Sequence, residues 1–282
     1  MLLAAALAGC GGEDPAVGRL VVTPTTLRLP HGEVRPLALA WTPSRELYGH
    51  EGEGAPLVFV HLLARPGSVL RTFDHPFPQH WHPGAPVRYE IDLHQSALAP
   101  PLQAGRYRLT IGLYQPAGQR WPLETAGEEV GRREYAVAEV EVPPAGAGAP
   151  KFAFAGPWLA IEPGADVQML ARRWLTGDGT LQVRSAPGTG ELSIVLRIPE
   201  AKGAGERLVL EPGVAAPGVV VSGSCGGEEI GITGSGQHQV RLPVEAEAVP
   251  CDVRFDGNFH LENPASPHHR VVALEGLAWA PR

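Results

Sequence analysis

The sequence predicts an all-β protein of two tandem β-sandwiches, and three observations carry that prediction. First, 35 Gly and 29 Pro are spread over 282 residues, and the longest stretch free of both, residues 87–99, is 13 residues long. Pro removes a helix hydrogen bond and Gly costs backbone entropy, so a helical bundle is excluded. Second, the segments between these breakers are short, and several alternate apolar with polar residues, the period of a strand with one wet face. With 44% hydrophobic residues they can build packed cores rather than a disordered chain. Third, residues 143–150 contain only Pro, Gly and Ala and divide the chain almost evenly. Such a linker neither holds a strand ladder nor buries much surface.

The first half, 19–142, reads as strands at 19–23, 34–42, 57–64, 69–73, 87–93, 107–114 and 135–142. Residues 87–93 alternate strictly, and Tyr107, Leu109, Ile111 and Leu113 fall on one side of their strand. Seven strands in this span suit an immunoglobulin-like sandwich. Tyr107, after Gly105 at a strand start, fits the tyrosine corner of such folds, in which the phenol ties a crossing loop to the backbone. The second half, 151–282, reads as more and shorter strands at 181–185, 192–198, 207–210, 219–222, 230–233, 238–242, 253–255 and 271–279. Turns such as Gly177-Asp178-Gly179 and Asp256-Gly257-Asn258 separate them with residues that accept positive φ. This pattern predicts a jelly-roll-like sandwich. The one helix expected is 166–174.

Residues 1–9 read MLLAAALAG, an apolar run ending in small residues before Cys10. Leu7-Ala8-Gly9-Cys10 resembles the lipobox of bacterial lipoprotein signal peptides. That resemblance implies cleavage before Cys10, lipidation of its sulfur and a tether over 10–18. No Lys or Arg precedes Cys10, although signal peptides carry a basic n-region, so the true start is expected upstream. Gly11 stands where the family places Asp for inner-membrane retention, so an outer-membrane or cell-surface anchor is expected. No other stretch approaches the roughly 20 apolar residues of a membrane span. Of the remaining cysteines, Cys225 and Cys251 are expected to form one disulfide in an oxidising compartment, the alternative being two reduced thiols. No CxxC or His/Cys spacing suggests a cysteine-based zinc site.

Phe59-Val60-His61-Leu62, Phe73-Asp74-His75-Pro76, Trp81-His82-Pro83-Gly84 and the run from Gly105 to Tyr114 follow one another in order. Together they resemble the β-sandwich domain appended to bacterial membrane glycosyltransferases of the dolichyl-phosphate-mannose mannosyltransferase type. The resemblance implies an exported accessory module without catalytic residues. Arg172-Arg173-Trp174 and the run from His268 to Leu274 resemble a second sandwich type found in similar proteins.

His75, His80 and His82 lie close together in sequence beside Asp74. On a strand His80 and His82 would share a face that a divalent ion can bridge. A Pro-rich loop with solvent-facing imidazoles is the simpler reading, because a metal site needs a third or fourth placed ligand. Adjacent His268 and His269 would point to opposite faces of a strand. Trp81, Trp121 and Tyr48 fall in loop-like segments, where they either stack on sugar rings or cap the core with a polar edge wet. Trp41, Trp158, Trp174 and Trp279 fall in or beside strands and are expected in or near the core.

There is no G-x-S-x-G elbow, P-loop or HExxH. The pairs Glu51/Glu53, Glu128/Glu129 and Glu228/Glu229 sit beside Gly and read as solvated loop charges. The chain has a net charge of −7, with 12 basic and 15 acidic residues before the linker and 11 and 15 after it. That sign excludes nucleic acid as a partner class. The sequence therefore points to an exported lipoprotein, anchored to the membrane through lipid, without cofactor or enzymatic activity. It would act as a binding or scaffolding module for an envelope protein or a glycan, with a jelly-roll hydrolase or lyase as a remote alternative.

Overall fold

A computed structural model describes residues 14–48, 55–115, 118–144, 146, 149–163, 171–224 and 229–282. About 60% of the described residues are strand, and helix among them is limited to one 3-10 turn, Ala246–Ala248. No helix there is long and apolar enough to cross a membrane.

The first half contains β1 (Gly18–Thr23), β2 (Thr26–Arg28), β3 (Val34–Pro43), β4 (Leu57–Arg65), β5 (Ser68–Thr72), β6 (His75–Pro76), β7 (Val87–His94), β8 (Gly105–Tyr114), β9 (Arg120–Trp121), β10 (Leu123–Glu124), β11 (Glu128–Gly131) and β12 (Glu134–Val142). One sheet runs β10-β1-β3-β7 and the other β11-β12-β8-β4-β5. β2 joins the edge of β12 in parallel, Leu27 opposite Val140. The period-2 pattern sets which face goes inward. Leu37, Leu39 and Trp41 of β3 meet Val58, Val60 and Leu62 of β4 and Leu109, Ile111 and Leu113 of β8 in one core. The Tyr107 hydroxyl donates to the Gln103 carbonyl at 2.6 Å, as the corner reading expects.

The second half contains β13 (Lys151–Ala155), β14 (Trp158–Pro163), β15 (Ala171–Leu175), β16 (Gly179–Ser185), β17 (Gly190–Ile198), β18 (Arg207–Leu210), β19 (Gly218–Gly223), β20 (Glu229–Thr233), β21 (Gly236–Val244), β22 (Cys251–Gly257), β23 (Phe259–Glu262) and β24 (Val272–Pro281). Two five-stranded sheets, β13-β16-β22-β19-β20 and β14-β15-β24-β17-β21, are antiparallel throughout. They enclose a second core that includes Leu181, Val183, Leu192, Ile194, Leu196, Val221, Phe255 and Trp279. β18 and β23 form a separate ribbon.

The expected helix at 166–174 is overturned where it is described: Ala171–Leu175 is strand β15, and 164–170 lie outside the described residues. The reason is tertiary. Arg173 and Leu175 pair with Leu274 and Val272 of β24, and a ladder with a long central strand outweighs a weak local helix preference.

The linker is not the sole junction between the halves. The turn after β7 inserts Leu98 and Ala99, each 5% exposed, into the core of the second half. Ala97 N–H donates to the Leu277 carbonyl at 2.7 Å, and Leu277 N–H donates to the Ser96 hydroxyl at 3.2 Å. Trp279 N–H donates to the Gly32 carbonyl at 2.6 Å. Gly32 has φ +75°, and a Cβ there would lie 3.2 Å from the Pro150 ring, so this crossing needs glycine.

Candidate functional site

The seam leaves a cleft of about 1110 Å³ between the halves. One wall is the edge strand β7 with the segment around β6; the other is the outer face of β17, β21 and β24. The outer face arises from register. Leu192, Ile194, Leu196 and Ile198 of β17 point into the core, so Glu191, Val195 and Arg197 point out, beside Gln237, Gln239 and Arg241 of β21.

One residue reaches that face by a bulge. The register between β17 and β24 shifts between Val195/Gly276 and Leu196/Leu274, leaving Glu275 as the extra residue. Its carboxylate, 1% exposed, takes Arg197 Nε at 2.7 Å, Arg172 Nη2 at 2.6 Å and Gln237 Nε2 at 3.0 Å. Burial pushes its pKa up, but the hydrogen bonds from Arg197 and Gln237 and the charges of Arg172 and Arg197 outweigh it. The carboxyl is held below the usual 4.5.

Four arginines (35, 197, 241, 282) and five carboxylates (74, 90, 92, 191, 275) line the cleft, so it presents no single-sign field to a polyanion or polycation. Several are paired within the protein. Arg241 bridges the seam to Asp92, and Arg282 holds Glu191 at 2.8 Å. On the β7 wall His75 Nε2 shares a 2.8 Å hydrogen bond with the Tyr89 hydroxyl, and His75 Nδ1 one of 2.9 Å with the Phe73 carbonyl. Burial holds the His75 and His94 imidazoles below the usual 6.5 and pushes the Tyr89 phenol above 10.0. At neutral pH these walls therefore offer neutral rings, exposed amides from Gln237 and Gln239, and paired charges: hydrogen-bonding groups of both senses beside apolar ring surface.

The residues singled out in the sequence are not in this cleft, His75 and Asp74 excepted. Trp81 is 9% exposed, packs edge-on to Trp41 at 6.1 Å, and donates its indole N–H to the Arg45 carbonyl at 2.9 Å. Trp121 is fully buried and donates to the Tyr48 carbonyl at 2.8 Å. Of the two roles open to these rings, stacking on a sugar or capping the core, their burial fits the core role. Trp81→Ala is expected to cost about 3–5 kcal/mol through the cavity it opens, read as a lowered thermal midpoint. An unchanged midpoint would return Trp81 to the surface.

Tyr48, 42% exposed, donates to Asp14 at 3.2 Å, and burial together with the Asp14 charge raises its pKa. His80 and His82 are exposed in a segment without strand structure. Neither belongs to a three-ligand group among the described residues. Cys10 and Cys225 lie outside the described residues. Cys251 is 5% exposed at the start of β22 and is disulfide-bonded. His61 sits between two carboxylates, Asp74 and Glu134, each at 3.5 Å. One group among the described residues does converge as metal ligands would: His260, Glu262 and His269. The His260-x-Glu262 spacing, which puts both side chains on one face of β23, is the signal of it that the sequence carries. No family model matches the chain, and no curated protein matches it.

Proposed function

We propose that the chain is an exported, lipid-anchored binding module of the cell envelope, non-catalytic, whose ligand seat is the cleft between the two sandwiches. The observation that carries this reading is the seam. A cleft of about 1110 Å³ whose walls are fixed by backbone hydrogen bonds and a shared core is preorganised, and preorganisation lowers the entropic cost of binding. The lining favours a polyhydroxylated, glycan-like ligand as the second reading: exposed amides, paired charges and the Tyr89 ring match hydroxyl groups and a sugar face. The lipid anchor at Cys10 rests on the Leu7-Ala8-Gly9-Cys10 resemblance.

The finer fold assignment is immunoglobulin-like, then jelly-roll-like. It is supported in the first half by the β1-β3-β7 and β12-β8-β4-β5 orders, the parallel β2–β12 edge and the Tyr107 corner. In the second half two facing five-stranded antiparallel sheets support it. The Cys225–Cys251 pairing is supported by register. Ser222 and Gly223 pair with Arg254 and Val253, and Ser224 N–H donates to the Asp252 carbonyl at 2.9 Å.

The test uses the full chain on an array of bacterial surface polysaccharides. Retention by the wild type that falls at least about tenfold in Gln239→Ala, an exposed cleft residue, supports the glycan reading. Retention unchanged by the substitution removes the cleft as the seat. With no glycan retained, a photo-crosslinker at position 239 that captures an envelope protein, when one at exposed Val21 does not, supports the protein-binding reading. Equal capture at both positions refutes it. Cys10→Ser should move the chain from the membrane to the soluble fraction; continued membrane partition would overturn the anchor.

A further inference from the structure

We propose that His260, Glu262 and His269 form a binding site for one divalent transition ion of the Zn²⁺ class, with a coordination position open to solvent. The site lies on the β18–β23 ribbon, and nothing in the cleft depends on it. Three features build it.

Backbone register brings the side chains together. His260 and Glu262 are two apart on β23 and so share a face. Leu261 and Arg270 exchange both backbone hydrogen bonds, 2.7 and 3.1 Å, so the returning strand is locked in antiparallel register at that point. The next pair along, Glu262 and His269, therefore occupies the non-hydrogen-bonded position, where facing side chains are closest. His260 completes the face on the diagonal, its ring stacked on that of His269 with centroids 4.5 Å apart and planes 8° from parallel.

The distances suit a small ion. One ligand atom from each of the three residues lies within 4.8 Å of the others. His260 Nε2 stands 3.5 Å from Glu262 Oε1. Neighbouring ligands on a tetrahedral Zn²⁺, with bonds of about 2.0–2.1 Å, stand about 3.3 Å apart. The His260–Glu262 edge is thus already near the required length. His269, the exposed member, has to close by no more than about 1.5 Å and to turn its ring out of the stack with His260, because an ion held by both imidazoles lies in the plane of each.

The carboxylate is held with one oxygen to spare. Arg207, opposite Glu262 in the β18–β23 register, donates Nε and Nη2 to Oε2, which leaves Oε1 on the histidine side. A neighbour that fixes a ligand's orientation in this way is how metal sites are tuned. Two imidazoles and one carboxylate favour Zn²⁺, Co²⁺ or Ni²⁺ over Ca²⁺ or Mg²⁺, which take oxygen ligands. Three protein ligands also leave a fourth position for water or for a donor from another molecule.

The experiment is calorimetric titration of Zn²⁺ into the full chain, stripped with chelator and exchanged into chelator-free buffer. One equivalent should bind, and His269→Ala and Glu262→Gln should each weaken it at least about tenfold. His269 is exposed, so its loss tests binding without threatening the fold. His268→Ala, one residue away and outside the cluster, should leave binding unchanged. A wild type that takes up no Zn²⁺ overturns the site, as does Zn²⁺ binding that survives both substitutions. Equal affinity for Ca²⁺, lost in the same variants, would overturn the ion class.

Discussion

Glu275→Ala should lower the stability of the second sandwich by about 3 kcal/mol, on the order of 10 °C in its thermal midpoint. The carboxylate is 1% exposed and receives Arg172, Arg197 and Gln237, so its removal takes away the buried negative charge that two guanidinium groups share. Breaking a buried pair from one side costs about 3–5 kcal/mol. The low end applies here because Arg172 and Arg197 side chains keep 23% and 37% of their exposure and can recover some hydration. A midpoint shift of only a degree or two would mean the network is solvated and contributes little.

Acid titration separates the charge from the packing. The folded-state pKa of Glu275 lies below its usual 4.5, so its stabilisation is present above about pH 4.5 and is lost as pH falls through the depressed value. Glu275→Gln keeps the shape and removes that proton linkage. The stability gap between wild type and Glu275→Gln should therefore be widest near neutrality and narrow below pH 4.5. A gap constant with pH would show that the carboxyl titrates alike in the folded and unfolded chain, so that the network does not favour its charged form.

Leu98→Asp should release the two sandwiches from one another. Leu98 is contributed by the first half of the chain but packs, 5% exposed, in the core of the second. Asp at this point forfeits the apolar burial and places a carboxyl among Leu, Ile and Val side chains, a loss of about 4 kcal/mol unless the turn withdraws. Withdrawal is the cheaper outcome, since the turn can leave the core without unfolding either sandwich. It would also strip the seam of the Ala97–Leu277 hydrogen bond. Small-angle scattering should then show a larger radius of gyration, and any ligand of the cleft should be lost. An unchanged radius with an unchanged thermal midpoint would show that the seam does not depend on this turn.

The contrast between Trp81 and Leu98 shows where sequence reading stops. Both stand outside the long strands, Trp81 among prolines and Leu98 just before Pro100-Pro101, and local pattern assigns neither a depth. Trp81 is covered because Trp41, distant in sequence, and the nearby Phe77 meet its ring. Leu98 is covered by the opposite half of the chain. The cleft was invisible for the same reason: Arg35, Asp92, Gln239 and Arg241 are ordinary polar strand positions until a seam 150 residues apart in sequence brings them together. His269 joins His260 only because Leu261 and Arg270 pair.

The strands themselves were legible. Segments 34–42, 87–93, 107–114 and 192–198 alternate or run apolar between breakers, and they lie within β3, β7, β8 and β17 almost residue for residue. Period-2 patterning is a local property with a global consequence, since one face must be dry, so it can be read without knowing the partner strand. The strands β2, β13 and β23 are too short for a period to stand out between breakers, and they are placed by the neighbouring strands that offer them hydrogen bonds. Composition and periodicity thus determined that this chain is all-β in two halves. Which residues face each other across the halves, and so where a ligand or an ion can be held, was decided by long-range register and packing alone.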